Sequence, residues 1–298
     1  MMLNYKSIFC LLLIMFFGIL NSYVFGGEKM ENKVIYAEMR IKNCKAELYV
    51  NDIPLECHDA RDLPFIATPV HQYLIDGINE IELIINPGHT PSQARKGNYK
   101  MDTAGMWADV RLVRYPEGVF TGDPSGEILA NVVWEGKKGK EEVFPKILSA
   151  KVDLEPMFGR WAWQDAEKIV LNEKTVSEIL DVVKIVHEDV KRGSSNQILQ
   201  LAKNMHMDTC RAYPLRKLSQ IEQRVSKSLI KKAQQKDWAV DPLNPSMFDF
   251  RVCANGHMVE IINKDWNDTI MGHLKDSGDD YPFSMFLSRI NGVWHIVR

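Results

Sequence analysis

The chain lacks most of the motifs by which a sequence announces its chemistry. It has no Walker loop and no Gly-x-Gly-x-x-Gly turn, so no motif cradles a phosphate. It has no Cys-x-x-Cys, and its cysteines are not at metal-ligand spacing. His187-Glu188-Asp189 lacks the second His four residues on that a zinc helix needs, and reads as a solvated helix face. Residues 276–280, Asp-Ser-Gly-Asp-Asp, lack the alternating ligands and closing Glu of an EF loop. Residues 122–126 have the wrong spacing for a nucleophile elbow and read as a turn. These absences imply neither a metal nor a cofactor. Charge imbalance is also missing. Lys and Arg total 37 against 39 Asp and Glu, for a net charge of −2. A dedicated nucleic-acid binder would carry a strong basic excess, so no nucleic-acid partner is expected.

There is also no apolar run of the ~20 residues that a membrane span requires. The longest, residues 8–20, is 13 residues with Gly18 inside it. It follows a short segment bearing Lys6 and precedes Val24-Phe25-Gly26-Gly27. This is the pattern of a secretory signal peptide, residues 1–26, with cleavage expected after Gly26. The alternative is an uncleaved anchor, in which case the membrane is met only through this leader. The mature chain then works in the periplasm or is secreted. No Cys stands directly after the apolar run to accept a lipid.

Cleavage would remove Cys10 and leave Cys44, Cys57, Cys210 and Cys253. An even count in an exported chain permits disulfides. Cys44 and Cys57 flank a turn at Asn51-Asp52, which suggests Cys44–Cys57 and leaves Cys210–Cys253. Four buried free thiols are the alternative.

What is present is a chain of 298 residues, 45% hydrophobic and 26% charged, enough for about two domains. Residues 27–155 read as short strands between Pro, Gly and Asp clusters: 46–50, 78–85, 110–113, 128–134 and 147–154. This pattern predicts an all-β sandwich. The segments AELYVNDIPL (46–55) and PVHQYLIDGINEIELII (69–85) resemble the jelly-roll or galactose-binding-like sandwich domains of secreted bacterial proteins. Asp52 stands where that family often has Gly. The resemblance implies a fold that binds carbohydrate in some members and is scaffolding in others.

Residues 156–173 form a linker in which Trp161-Ala162-Trp163 reads as a hinge docked on a domain face. In residues 174–298 the period becomes helical. Thr175-x-x-Glu178 and Ser219-x-x-Glu222 are capping-box signatures. Ile179, Val182, Val183, Val186 and Val190 form one stripe that Gly193 ends. A second helix starts at Ser194 or Ser195, and a third carries Ile221, Val225, Leu229 and Ala233, with its lysines on a solvated face. Then come two hairpins, each turning on Asn-Gly at 255–256 and 291–292, a dipeptide suited to type I′ turns. Counting outward pairs Val252 with Val259, Phe250 with Ile261, and Arg251 with Glu260. In the second hairpin Leu287 faces Ile296, Phe286 faces Val297, and Arg289 faces Trp294. Residues 264–281 read as an irregular connection. The expected fold is two-domain: an all-β sandwich, then an α+β domain with helices packed on a curved antiparallel sheet. The ending FLSRINGVWHIVR (286–298) resembles the terminal hairpin of NTF2-like cone domains, which implies a concave pocket more than a reaction.

The candidate site residues are Asp265, Trp266, Asp268, His273 and His295. A carboxylate beside a His can exchange protons, and Trp107, Trp134 and Trp266 offer flat apolar faces to sugar rings. The leading reading is an exported, non-catalytic protein that binds another protein or a glycan, one form being a periplasmic immunity-type inhibitor. A hydrolase acting on glycan is the alternative, for which Asp265, Asp268 and Asp279 are available. A structural envelope protein is the third.

Overall fold

A computed structural model describes residues 34–61 and 64–298. The leader expected at residues 1–26 lies outside them. Among the described residues no helix is long and apolar enough to cross a membrane.

The amino-terminal half is built from ten strands: β1 (Val34–Lys42), β2 (Cys44–Val50), β3 (Ile53–Ala60), β4 (Phe65–Pro69), β5 (Gly77–Ile85), β6 (Tyr99–Asp102), β7 (Trp107–Tyr115), β8 (Glu127–Glu135), β9 (Glu141–Phe144) and β10 (Lys146–Leu154). Two antiparallel sheets, ordered β4-β1-β7-β8 and β10-β5-β2-β3, enclose one core. The period of two decides which residues enter it. Ile35, Ala37, Met39 and Ile41 of β1 face inward, as do Leu48 and Val50 of β2 and Ile81, Leu83 and Ile85 of β5. The expected turn at Asn51-Asp52 joins β2 to β3, both residues at positive φ (51° and 63°). Buried Asn79 shapes the approach to β5. Its side chain accepts from Ile75 N–H and donates to the carbonyls of Ile75 and Gly77.

The carboxy-terminal half carries four helices, α1 (Glu173–Arg192), α2 (Asn196–Leu201), α3 (Lys203–Ala212) and α4 (Leu218–Ala233). Seven strands follow: β11 (Trp238–Val240), β12 (Phe248–Cys253), β13 (Met258–Asn263), β14 (Ile270–Leu274), β15 (Asp279–Phe283), β16 (Met285–Ile290) and β17 (Val293–Ile296). They form a four-stranded sheet, β12-β13-β16-β17, and a three-stranded one, β11-β14-β15, all antiparallel. Both hairpin registers expected by counting are found, and the Arg289 guanidinium lies 6.0 Å from the Trp294 ring centre.

Several expectations are corrected. Residues 264–281 are not irregular, since they hold β14 and most of β15. The second helix breaks at Ala202. The first cap is Asn172, whose side chain accepts from Thr175 N–H, and Gly193 ends that helix at φ 68° as expected. The expected pairs Cys44–Cys57 and Cys210–Cys253 are absent, for all four thiols are free. Register explains the first pair. Cys44 lies opposite Ala60, while Cys57 lies opposite Glu47. Three residues of strand separate the two by ~10 Å and put them on opposite faces, beyond the ~7 Å a disulfide spans.

The four-stranded sheet is buried on both faces. Val259, Ile261, Leu287 and Ile296 join the α1 stripe in one core. Cys253, Met258, Phe286 and Val297 join the sandwich core instead. The Trp161-Ala162-Trp163 segment is wedged into this seam. Trp161 is fully buried, and its indole N–H donates to the Leu74 carbonyl at 2.5 Å. His71 crosses it too, with Nε2 accepting from Ile35 N–H at 2.9 Å and Nδ1 donating to the Ala212 carbonyl at 3.0 Å. Those two bonds require a neutral ring, and burial holds its pKa below the ordinary value.

At the centre of the seam the Arg251–Glu260 pair meets the sandwich. Arg251 Nε donates to Glu260 at 2.6 Å, and Nη1 reaches Glu47 at 2.5 Å and the Tyr49 hydroxyl at 2.7 Å. Arg251, Glu47 and Glu260 are 5%, 1% and 8% exposed. Replacing Arg251 by Ala strands two buried carboxylates and is expected to cost about 3–5 kcal/mol, read as a lowered urea midpoint. Burial raises the Glu260 pKa to about 7, with Arg251 opposing and Glu47 assisting. A raised folded pKa means that this contribution is full below the ordinary 4.5 and is lost as pH rises through about 7. Glu260→Gln should therefore gain stability relative to the parent between pH 5 and 8, in paired denaturation curves. A relative loss over that range would show that Arg251 holds the carboxylate ionised.

Candidate functional site

The seam holds an open feature, a polar trough beside the turn that joins β2 and β3. Two adjoining cavities of about 360 and 400 Å³ share Asp52, Glu80 and Asn255. The floor is made by two turns that grip each other. The Asp52 carbonyl accepts from Ala254 N–H at 3.1 Å, and its carboxylate accepts from Asn255 N–H at 2.8 Å. Asn255 and Gly256 are at positive φ, as an Asn-Gly turn demands, and so is Ala254 before them.

One wall is the outer face of β5. Glu80 and Glu82 alternate with core Ile81 and Leu83, so both carboxylates point away from the core. Arg95 bridges Glu82 at 2.7 Å and Asp52 at 2.9 Å, and its guanidinium lies 4.3 Å from the Tyr49 ring centre. Tyr49 thus stands between the trough and the Arg251 cluster. Burial raises the Glu82 pKa, with Arg95 opposing. Glu80 meets Lys151 of β10 at only 3.9 Å. The far wall carries Ile75, Ile78, Trp163 and Arg160. Ile78 is 64% exposed, so the trough offers an apolar shelf beside its charges. Chemically it can hold a polar, extended ligand by hydrogen bonds and ion pairs from both halves.

The five residues singled out by sequence go to separate places. Asp265 is exposed and closes its own turn, accepting from Asn267 N–H at 3.3 Å and its side-chain amide at 2.9 Å. Trp266, at φ 69°, docks on the sandwich beside Tyr49, Ile84 and Ala94, with Lys45 Nζ 3.8 Å above its ring. Asp268 accepts from the Ser284 hydroxyl at 2.5 Å, and burial raises its pKa. His295 lies opposite Ser288, its Nδ1 buried without a hydrogen-bond partner. His273 alone meets carboxylates, Asp241 at 3.0 Å and Asp280 at 2.7 Å. Of the three indoles, Trp134 is core, Trp266 is in the seam and Trp107 stands on an outer sheet face.

The trough residues Asp52, Glu80, Glu82, Arg95, Lys151 and Arg160 carry no motif. The legible signal was Glu80-x-Glu82 within an apolar strand, which puts two acids on one outward face. Among the described residues no cluster of three or more His, Cys, Asp or Glu is disposed to hold a metal ion.

Hydrogen bonds that the His273 ring donates to Asp241 and Asp280 hold it above the ordinary imidazole pKa, with burial opposing. The stabilisation it carries is present below 6.5 and fades as pH rises through the raised value. In an NMR titration its ring protons should move above pH 6.5, and Asp241→Asn should bring the midpoint down. An unchanged midpoint in that variant would show that the carboxylate does not act on the ring.

Compared with protein families, with curated proteins and with solved structures, the chain matches none, so its function rests on the geometry above.

Proposed function

We propose that the chain is exported and works as a non-catalytic binding protein, holding another protein or a glycan in the trough between its halves. One observation carries this reading: the open polar surface at the seam is assembled from both halves, with Asp52 and Asn255 bonded across it at 2.8 Å. Interface clefts of a few hundred Å³ with convergent polar groups are common ligand sites. The expected leader supports a periplasmic or secreted location. Helices packed on one face of the β12-β13-β16-β17 sheet support the NTF2-like reading of residues 174–298, and the paired sheets support the sandwich reading of residues 27–155.

Hydrolysis of glycan is the second reading, and Glu80 beside Glu82 favours it. Two carboxylates in unlike surroundings can divide acid and base roles. Against it, Glu82 accepts two N–H groups from Arg95, at 3.1 and 2.7 Å, and the guanidinium opposes its protonation.

Residues 27–298, immobilised, should capture a partner from the extracellular or periplasmic fraction of the source cell. Glu80→Lys and Lys151→Glu lie at a half-buried and an exposed position outside the core, and should each weaken capture by roughly tenfold without unfolding the chain. Full-length chain with its leader intact in the soluble cytosol would sink the export reading. Turnover of a polysaccharide abolished by Glu82→Gln would replace binding by hydrolysis.

A further inference from the structure

We propose that the outward face of the β4-β1-β7-β8 sheet is a second binding site, specific for a neutral glycan and independent of the trough. The inward residues of these strands fill the sandwich core, so the alternate positions form the outer face. Register sets them in rows. Glu38 lies beside Arg111, Arg40 lies between Phe65 and Asp109, and Lys42 lies beside Trp107.

Two carboxylates on this outer face are buried, which a merely solvated face would not require. Asp109 is 1% exposed and Glu38 is 5%. Asp109 holds two arginines at once: Arg40 Nη2 at 2.5 Å, and Arg111 Nε at 3.2 Å and Nη2 at 2.8 Å. The Arg40 guanidinium lies 5.8 Å from the Trp107 ring centre. Glu38 accepts from the Tyr115 hydroxyl, which in turn accepts from Gly122 N–H at 2.7 Å. Among the described residues, Arg40 Nε and Nη1 and Arg111 Nη1 have no protein acceptor. Two guanidinium groups are therefore held in place with donors to spare. Fixing them beforehand lowers the entropy cost of binding.

The chemistry on offer selects the ligand. An indole presents a flat apolar surface with a polar edge, suited to the C–H face of a pyranose. Guanidinium forks donate to vicinal hydroxyls, whose oxygens accept. Phe65, 39% exposed on the far side of Arg40, extends the apolar surface. Across the rows the cations Arg40, Lys42 and Arg111 are balanced by Glu38, Asp109 and Glu135. A polyanion would call for a net excess of cations, so the match is to an uncharged glycan.

Affinity electrophoresis in native gels tests this. Hydroxyethylcellulose, galactomannan and laminarin serve as neutral probes, with polygalacturonate as the charged control. At least one neutral polysaccharide should retard the chain. Trp107→Ala should weaken that retardation by about tenfold or more, while Trp107→Phe keeps part of it. Arg111→Lys keeps the charge but loses the fork, and should also weaken it by about tenfold. It gives a decision should Trp107→Ala fail to fold. Retardation reads the sheet face and partner capture reads the trough, so failure of either site is read separately. Retardation by no neutral probe, by polygalacturonate alone, or undiminished in both Trp107→Ala and Arg111→Lys, would overturn the proposal.

Discussion

The molecule turns on one guanidinium. Arg251 occupies the centre of the seam, and every nitrogen of its fork is taken by Glu260, Glu47, Tyr49 or the Pro91 carbonyl. Three of these partners come from the amino-terminal half and one from the carboxy-terminal half. Buried ion pairs are weak evidence for net stability, because desolvation offsets most of the attraction. Their geometry is less forgiving. Any slide of one half along the other would leave a buried charge unpaired, so the cluster fixes how the halves meet. Apolar residues of the seam such as Met258 and Phe286, which join the sandwich core, supply the burial while Arg251 supplies the register.

That register is what makes the trough. With Arg251 anchored to Glu47, the turn after β2 is brought against the turn after β12, and Asp52 accepts two backbone N–H groups from it. Arg95 then packs over Tyr49, the residue whose hydroxyl belongs to the buried cluster. A ligand contacting Arg95 or Asp52 is one aromatic ring away from the tie between the halves. Binding there and the fit of the seam are thus physically linked.

Much of the fold was legible because local chemistry agreed with the final packing. Asn255-Gly256 and Asn291-Gly292 need positive φ, and counting outward from the first of them is enough to place Arg251 opposite Glu260. The stripe from Ile179 to Val190 ending at Gly193 was equally plain. What counting could not show is what covers Arg251 and Glu260. A charge pair on one face of a hairpin looks the same whether water or another sheet lies above it. The trough was hidden for the same reason: Asp52, Glu80 and Asn255 lie far apart in the chain and meet only through the seam. β14 and β15 are not legible in the sequence because Pro282 and a run of Asp and Gly mask the apolar alternation that strands usually show. Asp265, Trp266 and Asp268 are close in sequence and of site-forming types, but a tight turn sends their side chains in different directions.

The chain uses buried carboxylates in two opposite stoichiometries, and the contrast separates structure from recognition. At the seam two carboxylates share one arginine, all of its nitrogens are spent, and nothing remains to meet a ligand. On the outer sheet face one carboxylate, Asp109, holds two arginines, and among the described residues donors are left over. The first arrangement is closed and slightly acidic, so it suits an interface that should exclude other partners. The second is rigid yet unsaturated, and rigidity with unspent hydrogen bonds is the condition under which a surface can bind without first reorganising. The same two residue types therefore seal one surface and open another, and the number of each decides which.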